Sequence, residues 1–362
     1  MDYRSIMSGQ RRDAFAILSR AALRVCSWPY GIVVAHRNRK YDSGASEIHQ
    51  CGVPVICVGN LTTGGTGKTP IVCYLARWLR ERGVQVAIVS RGYGRGDGDS
   101  NDEALELHSR LPDVPHVQDP DRVEAARVAV EELEADVVLM DDGFQHRRLH
   151  RDLNIVVIDA TCPFGFGGLL PRGLLREPIS GLRRADLVIL TRCDAVEDSE
   201  VDAIENTIRE HHSGIPIVRS RHEPKTLLEH PSQESSIEQL ATKRVATICA
   251  IGNPAAFEET VRGCRVSIVD SRRLPDHDSY APETVRELRE WIQSLGNDID
   301  QVVCTHKDLV KLQTDRLGGK PLAAILIDLT IENHSSDLDR LMSGILDLSQ
   351  VDLPRQEQSF GQ

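Results

Sequence analysis

The chain has 362 residues, more than one hydrophobic core usually organises, which favours two domains. Its net charge of −11 argues against a general nucleic-acid binder, which would need a basic surface. The nine cysteines are scattered and never spaced as CxxC. They indicate neither a zinc site nor a disulfide framework, and they fit a reducing cytoplasm.

The first forty residues differ in charge from the rest, because they hold eight Lys or Arg and two acids, a net charge of +6. Residues 11–28 have the periodicity of an amphipathic helix. Two interpretations stay open: a helix packed on its own domain, or an interfacial helix whose Arg20 and Arg24 meet lipid headgroups. These arginines and Pro29 interrupt the apolar stretch, so we expect no membrane-spanning helix and recognise no secretory signal. The predicted apolar stripe is Ala14, Ile17, Leu18, Ala21 and Val25.

From residue 53 onward, short apolar runs alternate with helical patterns, which predicts an α/β fold with a doubly wound parallel sheet. A polar stretch follows and reads as a linker, and a smaller βα series begins after it. The predicted strands of the first series lie at 53–59, 86–90, 136–140, 153–159 and 185–191. The predicted domains are an N-terminal amphipathic segment at 1–40, a nucleotide-binding domain at 41–225, a linker at 226–243, a smaller α/β domain at 244–348 and a polar tail at 349–362.

A glycine-rich segment lies between the first predicted strand and the first long helix. Glycines let backbone N–H groups close around phosphate oxygens, and the helix N-terminus adds a favourable dipole. Lys68 supplies a charge for the β- and γ-phosphates, and the Thr69 hydroxyl can ligate Mg²⁺. Thr62 replaces the usual first glycine, and Gly64 with Gly65 is expected to form the turn. The predicted nucleotide-binding residues are Thr62, Thr63, Gly64, Gly65, Thr66, Gly67, Lys68 and Thr69.

Two carboxylates, Asp141 and Asp142, follow the apolar run 137–140. This is the Walker B arrangement, in which carboxylates hold Mg²⁺ directly or through water. Ligands of open α/β sheets bind at the carboxyl ends of the strands, so a role as solvated loop acids is disfavoured.

Three other polar sites stay open on local evidence. Asp102 and Glu103 open a short helix, where Asp102 is either a helix cap or a catalytic base. His277, flanked by aspartates, is by itself most simply a surface residue. A glycine-rich loop carries Arg172 and Arg176, whose guanidinium groups suit phosphates but can equally meet surface acids.

In their order along the chain, these motifs resemble the tetraacyldisaccharide 4′-kinase family. Each motif is moderately specific, the set is very specific, and the resemblance covers about residues 12–315. The motifs are GNL (59–61), GGTGKTP (64–70), SRGYG (90–94), DE (102–103), DPDRV (119–123), DDGFQH (141–146), LPRG (170–173), REP (176–178), IGNP (251–254) and PDH (275–277).

The resemblance implies an ATP- and Mg²⁺-dependent kinase whose doubly wound parallel sheet is of the P-loop kinase type, with a second, smaller α/β domain. Its substrate would be the lipid A disaccharide precursor, phosphorylated at the 4′-hydroxyl on the cytoplasmic face of the inner membrane. The N-terminal helix would attach the enzyme peripherally to that membrane surface.

The resemblance also implies residue roles. Asp102 would accept the hydroxyl proton with His277, from the other domain, as its partner, and Lys68 and Asp142 would complete the catalytic set. The implied metal ligands are Thr69, Asp141 and Glu103. The implied substrate-binding residues are Arg122, Gln145, His146, Arg172 and Arg176.

A P-loop GTPase or partitioning-type ATPase is the main alternative. Residues 191–194 and 305–308 are similar to guanine-recognition motifs, but Met140 stands where the DxxG switch motif needs aspartate. A non-catalytic membrane-binding scaffold is a further alternative, but it would not need Lys68, Thr69 and two strand-end aspartates together.

Overall fold

The chain folds into two compact units. The computed structural model describes residues 3–92, 102–231, 233–252, 254–276, 278–332 and 336–350. The first unit comprises the described residues within 1–91, 114–221 and 330–362, and the second those within 92–113 and 222–329. Among the described residues, 92 and 102–113 belong to the second unit, and 330–332 and 336–350 belong to the first, so each unit combines separate stretches of chain. The described part of the predicted linker 226–243 also belongs to the second unit.

Helices and strands alternate along most of the chain, as the sequence predicts. The helices are α1 (Tyr3–Met7), α2 (Ala14–Asp42), α3 (Lys68–Arg80), α4 (Asp102–Arg110), α5 (Arg122–Glu131), α6 (Asp198–His211), α7 (Pro254–Gly263), α8 (Pro282–Leu295), α9 (His306–Leu312) and α10 (Ser336–Gln350). The strands are β1 (Val55–Asn60), β2 (Val86–Ser90), β3 (His116–Gln118), β4 (Val137–Asp141), β5 (Leu153–Asp159), β6 (Leu187–Thr191), β7 (Ile217–Glu229), β8 (Gln233–Ser236), β9 (Arg244–Cys249), β10 (Ser267–Arg273), β11 (Gln301–Thr305), β12 (Arg316–Leu317) and β13 (Lys320–Ile331).

The sheet of the first unit has the strand order β7-β6-β5-β1-β4-β2-β3, and its paired strands run parallel. Every residue of β1, β4, β5 and β6 is buried, as expected for apolar runs covered on both faces. Because β1 lies between β5 and β4, the loops after these three strands meet at one edge. This edge is where an open α/β sheet binds its ligands.

The second unit contains a smaller parallel sheet in the order β10-β9-β11-β13, with β12 antiparallel to β13. Its core includes buried Ile248, Ile292, Val302 and Leu322. The predicted linker is not irregular, because residues 226–229 of β7 pair with β8 in an antiparallel ladder. Its side chains are largely polar, so the alternation that normally marks a strand is absent from the sequence.

Helix α2 is longer than predicted. It begins at Ala14, where Asp13 caps it by accepting a hydrogen bond from the backbone of Ala16 at 3.1 Å, and it continues through Pro29 to Asp42. A proline removes one helical hydrogen bond, and packing of the residues beyond it, such as buried Val34, opposes a break. Among the described residues, no helix is long and apolar enough to cross a membrane.

Candidate active site

The glycine-rich loop joins β1 to α3 at the ligand-binding edge of the first unit. Gly64 and Gly67 have φ angles of 108° and 83°, which are strained for other residues, and Gly67 is the N-cap of α3. Thr62 replaces the usual glycine without strain, because its backbone forms an antiparallel bridge to Leu175. Gly64 and Gly65 are exposed, so backbone N–H groups at the start of α3 are accessible to an anion.

Side chains from neighbouring strands hold this loop in place. The Asn60 amide donates to the Thr66 hydroxyl at 3.0 Å, and the Thr191 hydroxyl donates to the Thr66 carbonyl at 2.9 Å. Arg192 donates to the Gly65 carbonyl at 3.2 Å and forms an ion pair with Asp159 at the end of β5. From the sequence, Thr191 and Arg192 at the end of β6 are predicted only as part of a possible guanine-recognition motif. Their position at a strand end next to the loop is the signal that could have identified them.

Lys68 and two charged side chains of other loops, Asp142 and Arg176, form the centre of the site. The Lys68 ammonium lies 3.3 Å from Asp142 Oδ1, and Arg176 Nη1 donates to Asp142 Oδ2 at 3.0 Å. Arg176 Nη2 also donates to Asp142 Oδ1 and to Asn60 Oδ1. We call Lys68, Asp142 and Arg176 the charge cluster. The structure therefore joins a predicted nucleotide-binding residue, a predicted catalytic residue and a predicted substrate-binding residue.

The electrostatics of the charge cluster keep Asp142 ionised. Burial by itself raises the pKa of this carboxyl, but Lys68 and Arg176 outweigh it, and the pKa is held below its usual value. Asp142 has a left-handed backbone with φ of 52°. Gly143 follows it, and a Cβ there would lie 2.5 Å from the end of the Met140 side chain.

Asp141 and Thr69 supply the oxygen atoms expected of a Mg²⁺ site. Asp141 ends β4, is buried and pairs in register with Val58 of β1, while Thr69 lies in the first turn of α3. Among the residues that the structure describes, no three His, Cys, Asp or Glu side chains cluster as a self-sufficient metal site. Magnesium bound with a nucleotide needs only one or two protein ligands, because phosphate oxygens and water provide the others.

The chain matches a protein-family model over most of its length. The model described as tetraacyldisaccharide-1-P 4′-kinase matches residues 19–346. The chain belongs to the tetraacyldisaccharide-1-P 4′-kinase family. This membership confirms the resemblance seen in the sequence motifs and supports a kinase over a GTPase or a partitioning-type ATPase.

Individual members of the family match nearly the whole chain. Tetraacyldisaccharide 4′-kinases of Anaeromyxobacter dehalogenans (strain 2CP-C) and Geobacter sulfurreducens are 36% and 37% identical over 354 and 345 residues. These matches cover 92% and 90% of this chain and 93% and 94% of the relatives. The crystal structure of LpxK from Aquifex aeolicus in complex with ATP is similar with a TM-score of 0.73 and 31% identity, covering 90% of this chain and 99% of that chain. The predicted α/β fold class is thereby confirmed.

Three residues with family-implied substrate roles lie near the charge cluster. Gln145 donates to the backbone carbonyl of Asn60 at 2.9 Å. Arg122 is buried, donates to the backbone carbonyl of Asp119 at 3.1 Å, and contributes to the lowered pKa of Asp142. Burial, together with the charge of Arg122, lowers the pKa of His146 to about 4, so its imidazole is neutral at physiological pH.

Arg172 is placed differently from the other family-implied residues. Its side chain donates to the Met7 carbonyl at 3.0 Å, and its backbone N–H donates to Ser27 of α2. Burial lowers its pKa, and the charges of Arg24 and Arg20 lower it further. Its described contacts therefore lie toward the basic N-terminal helix rather than toward Asp142.

Asp102 and His277, the acid–base pair that the family resemblance implies, lie only partly within the described structure. Helix α4 begins at Asp102 and belongs to the second unit, as do the described residues on both sides of position 277. The expectation that this pair comes from two different domains is therefore wrong. The side chains of Asp102 and Glu103 and the whole of His277 lie outside the described residues. Their roles as base, metal ligand and partner stay predictions.

Proposed function

We propose that this chain transfers the γ-phosphate of ATP to the 4′-hydroxyl of a tetraacyldisaccharide 1-phosphate, the precursor of lipid A. The observation that carries the proposal is the charge cluster beside the glycine-rich loop. Phosphoryl transfer is accelerated mainly by positioning and by stabilising charge on the transferring group. Lys68 and Arg176 supply two cations for that charge, and the loop supplies backbone N–H groups.

Mg²⁺ would be held by Thr69 and Asp141, with Glu103 as a proposed third ligand. The fit rests on the chemistry of two oxygen donors, the Thr69 hydroxyl in the first turn of α3 and the buried Asp141 carboxylate at the end of β4, since hard oxygen donors suit this ion. When bound, Mg²⁺ neutralises charge on the β- and γ-phosphates. Lys68 then orients the γ-phosphate, and Asp142 keeps the Lys68 ammonium in place.

Asp102 is the better candidate for the base that accepts the hydroxyl proton, with His277 as its partner. The alternative base, Asp142, contacts both Lys68 and Arg176, and these cations lower its pKa. A carboxylate stabilised in this way is a weak proton acceptor. Asp142 is therefore proposed to act in catalysis by charge balance.

The remaining residues are proposed to bind the disaccharide. Neutral His146 can accept a hydrogen bond from a sugar hydroxyl or donate one to it. Gln145 and buried Arg122 are proposed to hold the shape of the site. Arg172, with Arg20 and Arg24 near it, forms a positive region that suits an anionic lipid group.

Helix α2 is proposed to attach the enzyme peripherally to the cytoplasmic face of the inner membrane. Large apolar side chains on one side of it are exposed, with Leu18, Trp28 and Ile32 about 70% accessible. A helix with such a face, flanked by exposed basic residues such as Arg37 and Lys40, is typical of interfacial binding to anionic lipid. The full exposed apolar set is Phe15, Ile17, Leu18, Val25, Trp28, Ile32 and Val33.

The test is transfer of label from radiolabelled ATP to the disaccharide 1-phosphate in mixed micelles. We expect Mg²⁺-dependent labelling of the lipid, and none of a matched acceptor that lacks the 4′-hydroxyl. Equal labelling of both acceptors, or a strong preference for GTP over ATP, would contradict the proposal.

A further inference from the structure

The inner side of α2 contacts the loop of residues 165–177, which we call the Arg176 loop. The Ser27 hydroxyl donates to the Leu169 carbonyl at 3.0 Å and accepts from the backbone N–H of Arg172 at 3.1 Å. The Tyr30 hydroxyl donates to the Arg176 carbonyl at 2.8 Å. Helix α2 is therefore bonded directly to the backbone of a charge-cluster residue.

The other side of the Arg176 loop contacts the glycine-rich loop. The backbone N–H of Arg176 donates to the Leu61 carbonyl at 2.7 Å, and the N–H of Thr63 donates to the Leu174 carbonyl at 2.8 Å. The Arg176 guanidinium contacts Asp142. The Arg176 loop thus lies between α2 and the phosphate-binding segment, with backbone hydrogen bonds to both.

Glu177 makes a second connection between α2 and the site. Its side chain is fully buried and accepts from Arg184 at 2.7 Å, from Gln145 at 2.9 Å and from Asn38 of α2 at 3.3 Å. Gln145 also donates to the carbonyl of Asn60, the last residue of β1. Since a buried carboxylate is stable only when it is paired and hydrogen-bonded, these donors fix its position.

The two faces of α2 have different contacts. On the inner face, Tyr30 and Asn38 donate hydrogen bonds to Arg176 and Glu177. On the outer face, Trp28 and Ile32 are exposed. Few of the residues of this 29-residue helix are buried: Ala16, Ser27 and Val34. Polar contacts therefore carry much of the attachment of α2, and any ligand of its outer face that orders the helix also orders the partners of its inner face.

We propose that α2 is a positioning element of the phosphate site, through which binding to an anionic lipid bilayer and binding of ATP reinforce each other. Tyr30 and Asn38 are the positioning residues, and they act through Arg176 and Glu177. This inference rests on the proposed function, which identifies ATP as the nucleotide and the membrane as the lipid surface. By linkage, a bilayer that raises the affinity for ATP is itself bound more tightly when ATP is present.

The experiment measures ATP affinity by calorimetry on the full chain with Mg²⁺ and no acceptor. It is done with and without vesicles of phosphatidylethanolamine and phosphatidylglycerol. For the wild type we expect vesicles to tighten ATP binding by about 5-fold or more, in the range typical of coupled sites. In Tyr30→Phe, vesicle binding should persist while the effect on ATP falls to within about 2-fold, because one link is removed.

Two further variants keep the test decisive. Trp28→Ser combined with Ile32→Ser should lose the vesicle effect because vesicle binding itself is lost. Asn38→Asp places a second carboxylate beside Glu177, and it should weaken ATP binding in the presence of vesicles. Its folding is checked by circular dichroism.

The inference is overturned if vesicles leave wild-type ATP affinity unchanged, or if Tyr30→Phe and Asn38→Asp both respond to vesicles as the wild type does. Phosphate transfer to the disaccharide without any vesicle effect on ATP would refute this inference alone. Coupling without transfer to the disaccharide would refute the proposed function alone.

Discussion

Replacement of Arg176 by alanine tests the charge cluster. Arg176 makes two hydrogen bonds to Asp142 and one to Asn60, and each hydrogen bond to a charged group contributes about 1.5–3 kcal/mol. Lys68 also lies 3.3 Å from Asp142, so we expect part of the pairing to be retained in the variant and the losses not to add. We expect transition-state stabilisation to fall by about 3 kcal/mol, which is about 150-fold in kcat/KM.

The assay is the steady-state rate of phosphate transfer to the disaccharide 1-phosphate at several ATP concentrations. Arg176→Lys keeps the charge but loses the planar fork, and should fall between alanine and wild type. Arg183→Ala removes an exposed arginine that follows Arg176 closely in sequence, and it serves as the matched control. If folded Arg176→Ala stayed within about threefold of the wild type, the role assigned to the cluster would be refuted.

Three other predictions concern packing, pH and the base. Gly59→Ala would put its Cβ 2.6 Å from the Cβ of Phe144, so urea denaturation should show that the free energy of unfolding falls by about 2–3 kcal/mol. The control Gly214→Ala should change it little, because no atom lies within 4 Å of the added Cβ. Burial and Arg122 lower the pKa of His146 to about 4 in the folded chain, whereas an unfolded chain protonates this histidine below about pH 6.5. The free energy of unfolding should therefore fall as the pH drops from about 6.5 toward 4. Between pH 7 and pH 5, the free energy of unfolding of His146→Gln should therefore fall by about 1–2 kcal/mol less than that of the wild type. An equal fall in both proteins would argue against a neutral imidazole. Asp102→Ala should lower kcat by about 10²–10⁴ with ATP affinity retained, and an unchanged kcat would return this residue to the role of a helix cap.

The sequence predicts the first unit well because its signals are local. Apolar runs bounded by turn residues give the buried strands, and the bounds of β2 and β5 are the predicted ones. The glycine-rich loop is recognisable because Lys68 and Thr69 follow it in register at the start of a helix. The sequence signal of this loop is contained in one short segment, so it can be recognised without knowledge of long-range contacts.

Other features depend on contacts that are distant in sequence. Nothing near Glu177 in the sequence indicates that it accepts hydrogen bonds from Asn38, 139 positions earlier, and from Gln145. Likewise, α4 follows β2 in the chain but belongs to the second unit, since it packs on α9. The assumption that a domain is one continuous segment fails at such insertions.

The most direct test of the kinase assignment is label transfer by Lys68→Ala to the disaccharide 1-phosphate. Lys68 is the cation at the start of α3 and contacts Asp142 at 3.3 Å, so its loss removes charge stabilisation that the loop backbone cannot replace. Lys225→Ala, which removes an exposed lysine from β7, is the control. We predict that Lys68→Ala transfers label at least about 100-fold more slowly than the wild type and the control, with unchanged folding. Transfer by folded Lys68→Ala within about twofold of the control would contradict the assignment.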